Sequence, residues 1–149
     1  MQEAEFLRSI QDYPNAKACP IGTGFRILGK RWTIEVVREL LLGHNRFKQL
    51  EASVEGINPR MLSLRLKELE EHMLVSRRVF TSTPVQIEYA LTDRGRNLVP
   101  VMFAMAEFSM KNFPEEVFED GESRSPEQVA HEIEGLRNPN HSSRKARAG

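Results

Sequence analysis

Four side chains in the ten residues that start at Asn58 are of the types that contact nucleic-acid bases. Arg60, Ser63, Leu64 and Lys67 fall on one side of a helical wheel, opposite an apolar stripe. Arginine and lysine donate to guanine, serine bonds several base edges, and an apolar side chain can pack on a thymine methyl. The set predicts a helix whose N-terminal half touches bases in a major groove. A solvated amphipathic helix is the commoner origin of such a pattern, but an exposed leucine has no purpose there.

Further polar side chains follow in the next segment. Arg77 and Arg78 lie on a predicted strand, and Thr81 and Ser82 lie in the turn after it. These residues suit contacts with phosphates, which position a protein on DNA but carry no sequence information. Two adjacent arginines are more often solvated charge. The preceding helix is what favours a phosphate contact here.

Cys19 is the only cysteine of the chain. Pro20 is typical of the first residue of a helix, so Cys19 would be the N-cap. A thiolate at this position is stabilised by free amides and the helix dipole, which raises its reactivity, and Lys17 would add to the effect. Cys19 is therefore a candidate sensor. The alternative, an inert buried cysteine, stays open.

The candidate base-contacting side chains at positions 60–67 need a helix with a defined start to hold them on one face. Asn58 is a favourable N-cap and Pro59 a favourable first helical residue, and Asn58 is included among the candidate DNA contacts. The helical spacing of its apolar residues predicts one buried stripe of Leu62, Leu66, Leu69 and Met73. After it, alternation predicts a strand with one buried face, formed by Val85, Ile87, Tyr89 and Leu91. Pro84 with Thr81–Thr83 suits the turn before that strand.

The elements upstream complete a helix-turn-helix. Trp32 to Leu42 is predicted to be an amphipathic helix ended by Gly43, with a core face of Ile34, Val37, Leu40 and Leu41 and an outer face of Arg38 and Glu39. Phe47 to Leu50 is predicted as the short first helix of the motif, and Gly56 lies in the turn. The predicted fold is mainly α with a small β-hairpin wing (α+β): a winged helix-turn-helix with N- and C-terminal dimerisation helices.

The segment from Thr92 to Phe113 is predicted to be one long helix, capped by Thr92 and kinked at Pro100. Apolar residues fill two of its faces, whereas a surface helix of a monomer needs only one. We therefore expect a homodimer, although a helix buried within one subunit remains an alternative. The candidate dimerisation residues are Phe6, Ile10, Val99, Phe103, Met110 and Phe113.

Composition limits the class of protein. The 149 residues suffice for one core, and no run of about 18 apolar residues predicts a membrane span. Acidic Glu3, Glu5 and Asp12 argue against a signal peptide, and the single cysteine indicates a reducing compartment, so we expect a cytoplasmic protein. Net charge is zero. Residues 26–80 nevertheless hold eleven Lys or Arg against seven acids, whereas residues 114–136 hold eight acids against Arg124.

Catalytic chemistry has no candidate residues in this sequence. The four histidines lie in unrelated segments without metal-ligand spacing, and no glycine-rich phosphate loop or nucleophile elbow occurs. We expect neither an enzyme nor a metal or cofactor.

The sequence resembles the HxlR family of winged-helix transcriptional regulators between Ala18 and Phe108. The residues that carry the resemblance are Cys19-Pro20, Gly29 to Trp32, Arg38-Glu39-Leu40, Arg46-Phe47 with Leu50, Gly56-Ile57, Leu62 with Arg65-Leu66, Leu69-Glu70, Leu74-Val75, Pro84, Glu88-Tyr89, and Leu91-Thr92 with Gly95. The resemblance implies a dimeric bacterial or archaeal DNA-binding regulator. Some members of the family sense oxidants or electrophiles through the cysteine before the proline. Met73 stands where the family usually has glycine, and Phe108 where it often has tryptophan.

Three parts of the chain follow from these patterns. Residues 1–18 form an N-terminal helical extension, residues 19–113 the winged helix-turn-helix with its dimerisation helix, and residues 114–149 an acidic linker, a short helix and a basic, disordered tail. The expected function is sequence-specific regulation of transcription by a homodimer on a pseudopalindromic double-stranded DNA site. Cys19 is the candidate for a redox or electrophile response, and the expected effector is an oxidant or a small molecule. The alternative is a winged-helix module that binds protein and not DNA.

Overall fold

The computed structural model describes residues 2–10 and 12–137, which divide into two compact units that meet between Arg96 and Asn97. The described residues of the first unit form six helices and a two-stranded antiparallel sheet: α1 (Glu3–Ser9), α2 (Pro20–Leu28), α3 (Thr33–Leu41), α4 (Phe47–Ser53), α5 (Pro59–Glu71), β1 (Val75–Phe80), β2 (Gln86–Leu91) and α6 (Asp93–Arg96). The second contains α7 (Val99–Asn112), α8 (Pro114–Val117) and α9 (Pro126–Arg137). None of the helices described is both long and apolar enough to cross a bilayer.

The core lies in the first unit, where α3 packs against α4, α5 and β2. Its buried apolar side chains are Val36, Val37, Leu40, Leu50, Val54, Ile57, Leu62, Leu66, Leu69, Leu74, Val75 and Leu91. Short α4, the turn at Gly56 (φ +76°) and the longer α5 give the predicted helix-turn-helix connectivity. The antiparallel ribbon after α5 is the predicted wing, so the winged helix-turn-helix architecture is confirmed.

Helix α5 begins as predicted and ends differently. The Asn58 side chain accepts a hydrogen bond from the Met61 amide at 2.9 Å, and Pro59 is the first helical residue. Leu62, Leu66 and Leu69 form the buried stripe, but the inclusion of Met73 in it was wrong. Met73 lies beyond the helix, is 62% exposed and has a left-handed backbone (φ +57°), because the chain must turn sharply there to enter β1.

The predicted faces of α3 were partly wrong. Val37 and Leu40 are buried, but Leu41 is exposed and Ile34 only half-buried. Glu39, expected to face solvent, is 3% exposed. A buried carboxylate requires compensating partners. Glu39 has two, since it accepts hydrogen bonds from Arg38 at 2.7 Å and lies 2.8 Å from His44 Nδ1.

The wing does not show the predicted alternation of buried and exposed residues. Of the four residues assigned to the buried face, only Leu91 is buried, at the base of the ribbon. Ile87 and Tyr89 are half-buried, and Val85 is exposed outside the strand. A two-stranded ribbon buries one face only where something packs against it, and here that is the base.

The single helix predicted from Thr92 to Phe113 is two helices. Thr92 caps α6 as predicted, since its hydroxyl oxygen accepts from the Gly95 amide at 3.1 Å. The chain then leaves the helical path at Asn97, and α7 starts at Val99 with Pro100 in its first turn. Proline lacks an amide hydrogen and clashes with the carbonyl four residues before it. Pro100 therefore breaks the helix, and the predicted kink was wrong.

The C-terminal helix starts at a capping box, as its sequence predicts. Ser125 Oγ accepts from the Gln128 amide at 3.2 Å, and Gln128 Oε1 accepts from the Ser125 amide at 2.7 Å. The basic tail, residues 138–149, lies outside the described residues.

Candidate nucleic-acid interface

The candidate base-reading residues share one exposed face of α5. Arg60, Ser63, Leu64 and Lys67 are all exposed, and Leu64 is 42% accessible. The cap bond of Asn58 occupies its side-chain oxygen and leaves the amide NH2 as a donor at the same end of the helix. The leucine stripe on the opposite side fixes which face points outward. The spacing in the sequence therefore identified the exposed face of α5.

The basic side chains of this surface differ in whether an acidic side chain lies close enough to neutralise them. Lys67 Nζ lies 3.9 Å from Glu71, and both side chains are exposed, so this pair is weak. Arg60, Arg77 and Arg78 form no ion pair with any residue in the described ranges. Their charge is available to an external anion.

The wing separates its two arginines. Arg77 pairs with Tyr89 and Arg78 with Glu88 in the antiparallel register. Because successive side chains of a strand leave opposite faces, one row of phosphates cannot meet both arginines in the same way. At the tip, Thr81 and Ser82 are exposed, and the Ser82 hydroxyl donates to the Pro84 carbonyl at 3.0 Å.

Sequence reasoning missed the residue that anchors α5. Arg65, 8% exposed, donates from Nε to the Arg31 carbonyl at 2.9 Å and from Nη1 to Glu68 at 2.7 Å. Lys30 donates to the other Glu68 oxygen at 2.7 Å. The Lys30 hydrogen bond lowers the pKa of Glu68; burial opposes it and Arg65 adds to it. The spacing of Arg65 and Glu68 predicts their pairing, but only the fold brings Arg31 to them.

The burial of Glu39 was also missed. Burial alone would raise the pKa of Glu39, but hydrogen bonds from Arg38 and His44 outweigh it, so the pKa lies below its usual range. His44 also donates its backbone amide to the Glu39 carbonyl at 3.0 Å. Glu39 therefore holds the end of α3 and the loop that follows it.

Cys19 occupies the predicted N-cap position of α2. Its thiol is exposed and makes no capping hydrogen bond, while its carbonyl accepts from the Thr23 amide at 2.9 Å. Within the described ranges, no three His, Cys, Asp or Glu side chains converge as metal ligands would.

The candidate dimerisation residues are accessible in both units. In the first, Phe6 is 48% exposed and Ile10 half-buried. In the second, Phe103 is 53% exposed and α7 buries none of its residues. The remaining members, Val99, Met110 and Phe113, are exposed or half-buried.

A helix-turn-helix followed by an antiparallel ribbon defines a winged-helix regulator. The model of the HxlR-like helix-turn-helix family matches residues 27–117, and the chain belongs to that family of transcriptional regulators. The family and the relatives that the chain matches are transcriptional regulators, not enzymes.

Relatives of known sequence or structure agree with this assignment. The chain is 49% identical over 76 residues to the HTH-type transcriptional regulator YvaP of Bacillus subtilis, an alignment that covers 51% of this chain and 70% of YvaP. The reduced form of the B. subtilis regulator YodB superposes with a TM-score of 0.57 at 38% identity, over 62% of this chain and 91% of YodB. The oxidized form of the redox regulator HypR gives 0.57 at 33% identity, over 61% and 94%.

Proposed function

We propose that this protein is a homodimeric transcriptional regulator that binds a specific double-stranded DNA sequence through α5 and the wing. The observation that carries the proposal is the exposed Arg60, which has no ion pair among the described residues, beside exposed Ser63 and Leu64 on a helix whose opposite face is fixed by buried leucines. In a helix-turn-helix protein the second helix of the motif enters the major groove with its N-terminal residues toward the bases.

Helix α5 and the wing carry side chains suited to two different kinds of DNA contact, which supports the proposal. Arg60 has the geometry to bond guanine bidentately, and Leu64 can pack on a thymine methyl. Arg78, on the wing, is expected to meet mainly phosphates, which give affinity without sequence preference.

The test compares two alanine variants on cognate and random DNA. Arg60→Ala should cost roughly 1–3 kcal/mol on the cognate site and much less on random DNA. Arg78→Ala should weaken both about equally and reduce the salt dependence by about one phosphate contact. Glu70→Ala, on the C-terminal half of the same helix, is the matched control and should leave site preference unchanged.

Two results would contradict the proposal. If Arg60, Ser63, Leu64 and Lys67 can all become alanine without loss of site preference, and circular dichroism shows an intact fold, then α5 is not the reader. If the wild-type protein shows no salt-dependent DNA binding, a winged-helix module that binds protein becomes the better description.

The dimer is proposed from the apolar residues of α7. Phe103→Glu should convert dimer to monomer or aggregate, because an unpaired charge buried in an interface is costly. Phe103→Leu keeps an apolar side chain and should remain dimeric. Light scattering at micromolar concentration measures both, and a monomeric wild-type protein would rule out the dimer.

A sensor role for Cys19 is the third part of the proposal. Its support is the exposed thiol at the N-cap of α2 and the similarity to a protein named as a redox regulator. The thiol should react with an alkylating probe faster than free cysteine, and modification should change DNA affinity. A Cys19→Ser variant that responds to oxidants as the wild type does would remove this part alone.

A further inference from the structure

Glu88 on β2 lies within reach of two arginines but pairs with only one of them. It stands directly opposite Arg78 on β1, and opposite residues of an antiparallel pair share one face of the ribbon. Its carboxylate nevertheless lies 3.6 Å from Arg46 Nη2, at the start of α4. Within the described ranges Arg78 has no ion pair. The acid that would neutralise the wing arginine is thus held by a residue outside the wing.

Arg46 is held in this position by one hydrogen bond from its side chain and one from its backbone amide. Its Nη2 donates to Gln86 Oε1 at 2.9 Å, and its backbone amide donates to Gln49 at 3.0 Å. The neighbouring Asn45 carbonyl accepts from the Tyr89 amide at 2.7 Å, a bond outside the β1–β2 ladder. A surface ion pair is weak in part because two long side chains must be ordered to form it. The hydrogen bond to Gln86 already orders the Arg46 guanidinium, which lowers that cost for its pair with Glu88.

We infer that Arg46 is a positioning residue for DNA binding, which engages Glu88 and thereby leaves the Arg78 guanidinium free for a phosphate. The inference rests on the proposed function, because it assigns the phosphate contact to the wing. Without Arg46, the Glu88 carboxylate faces Arg78 directly, and opposite charges at such a pair attract each other. Arg78 is then neutralised within the protein, and a carboxylate next to the phosphate opposes its approach.

The experiment measures what Arg78 contributes in three backgrounds. The quantity is the slope of log binding constant against log salt concentration, determined with and without the Arg78→Ala substitution. In the wild-type background, Arg78→Ala should reduce the slope by about 0.9, the value for one phosphate. In the Arg46→Ala background it should change the slope little. In the Arg46→Ala, Glu88→Gln background, where the carboxylate is absent, the full effect of about 0.9 should return.

The return of the effect separates positioning from two simpler roles. If Arg46 itself contacts a phosphate, the two substitutions add and Arg78→Ala has the same effect in every background. If Arg46 only holds the wing in place, the effect disappears with Arg46→Ala and Glu88→Gln does not restore it. Either result overturns the inference.

Two controls keep the outcome interpretable. Circular dichroism and thermal unfolding test the fold of each variant, and Arg46→Gln, which keeps a polar side chain toward Gln86 without the charge, replaces Arg46→Ala if that variant fails to fold. A wild-type protein with no salt-dependent binding contradicts the proposed function itself. Salt-dependent binding that is insensitive to Arg78→Ala in the wild type contradicts the inference and the phosphate contact assigned to Arg78, but leaves DNA binding through α5 intact.

Discussion

Helices α5 and α7 are nearly equal in length, at 13 and 14 residues, yet they handle their apolar side chains in opposite ways. Helix α5 buries Leu62, Leu66 and Leu69 in its own unit and presents polar residues outward. Helix α7 carries more apolar side chains and buries none of them. The apolar side chains of α5 are thus buried within the chain, whereas those of α7 stay accessible.

The difference shows that α5 is stabilised by packing within its own chain, whereas α7 is not. Burial of a leucine side chain contributes roughly 1.5–3 kcal/mol, and α5 obtains this contribution as the chain folds. The apolar groove on α7, lined by Pro100, Val101, Ala104, Met105, Phe108 and Ser109, stays open in the single chain. Large exposed apolar patches of this kind mark sites of protein interaction. This agrees with the proposal that a second copy covers α7.

The most direct test of the comparison truncates one apolar side chain in each helix. Leu66→Ala should lower the free energy of unfolding by about 2–5 kcal/mol, because Leu66 is 2% exposed and its loss leaves a cavity. Leu64→Ala, on the exposed face of the same helix, should change it by less than about 0.5 kcal/mol. Phe103→Ala should leave the unfolding of isolated monomer unchanged and weaken the dimer. Urea titrations at two protein concentrations check this, and equal effects of Leu66→Ala and Phe103→Ala on monomer would contradict it.

The second prediction concerns the close contact between Gly95 of α6 and the Leu74 carbonyl. A Cβ built at Gly95 would overlap the Leu74 carbonyl oxygen, so Gly95→Ala must move backbone. We expect a loss of about 1–3 kcal/mol in the free energy of unfolding, as for other overpacked sites. Gly135→Ala in α9 is the matched control: beyond its chain neighbours and the backbone of its own helix, nothing lies within 4 Å of an added Cβ, and alanine favours the helix. If both substitutions have the same effect in thermal unfolding, the contact at Gly95 is unimportant.

The third prediction uses pH to probe the buried charge of the first unit. The pKa of Glu39 is lower in the folded protein than its ordinary value of 4.5, so the unfolded chain binds the proton more readily. The carboxylate therefore stabilises the fold above about pH 4.5, and this contribution is lost as the pH falls through the folded pKa.

Glu39→Gln removes that contribution. The variant should be about 1–2 kcal/mol less stable than the wild type at pH 7, and the difference should shrink on acidification. Chemical denaturation at a series of pH values between about 3 and 7 gives the measurement. A difference that stays constant with pH would show that the charge is not what Glu39 contributes.

The smallest expected effect is a gain in stability at the end of α5. Met73 has a left-handed backbone, which costs a non-glycine residue roughly 1 kcal/mol, and its exposed side chain contributes little packing. Met73→Gly should therefore raise the free energy of unfolding by about 0.5–1 kcal/mol. Met73→Ala keeps the backbone penalty and serves as the control. A loss of stability in the glycine variant would mean that the methionine side chain matters more than its backbone.

The sequence predicted those elements whose signals are local. Asn58 and Pro59 mark the start of α5, Ser125 marks that of α9, and the leucine spacing defines the buried face of α5. These features depend on neighbours within a few residues, which the sequence displays directly. The exposed face of the candidate site followed from the same spacing.

The parts that were not predicted depend on distant contacts. Glu39 reads as a surface acid because its neighbours in the chain do not reveal that α3 packs against α4, α5 and β2, the packing that buries it. Arg65 reads as one more basic residue until α5 meets the carbonyl of Arg31, 34 positions earlier in the chain. The break before Pro100 was misjudged as a kink, since a proline alone does not say whether packing will hold the two segments in line.

The bonds of Thr92 have a consequence for how this fold can vary. The Thr92 amide donates to the Leu74 carbonyl and its hydroxyl donates to the Met73 carbonyl, so the two ends of the wing are joined at its base. The tip of the hairpin, residues 81–85, can therefore lengthen, shorten or accept a foreign segment while the bonds at the base, and those that join Gln86 to Arg46 and Tyr89 to Asn45, stay in place. Wings of different reach can thus be exchanged on one unchanged scaffold, and the tip is the natural place for an inserted peptide or a spectroscopic label.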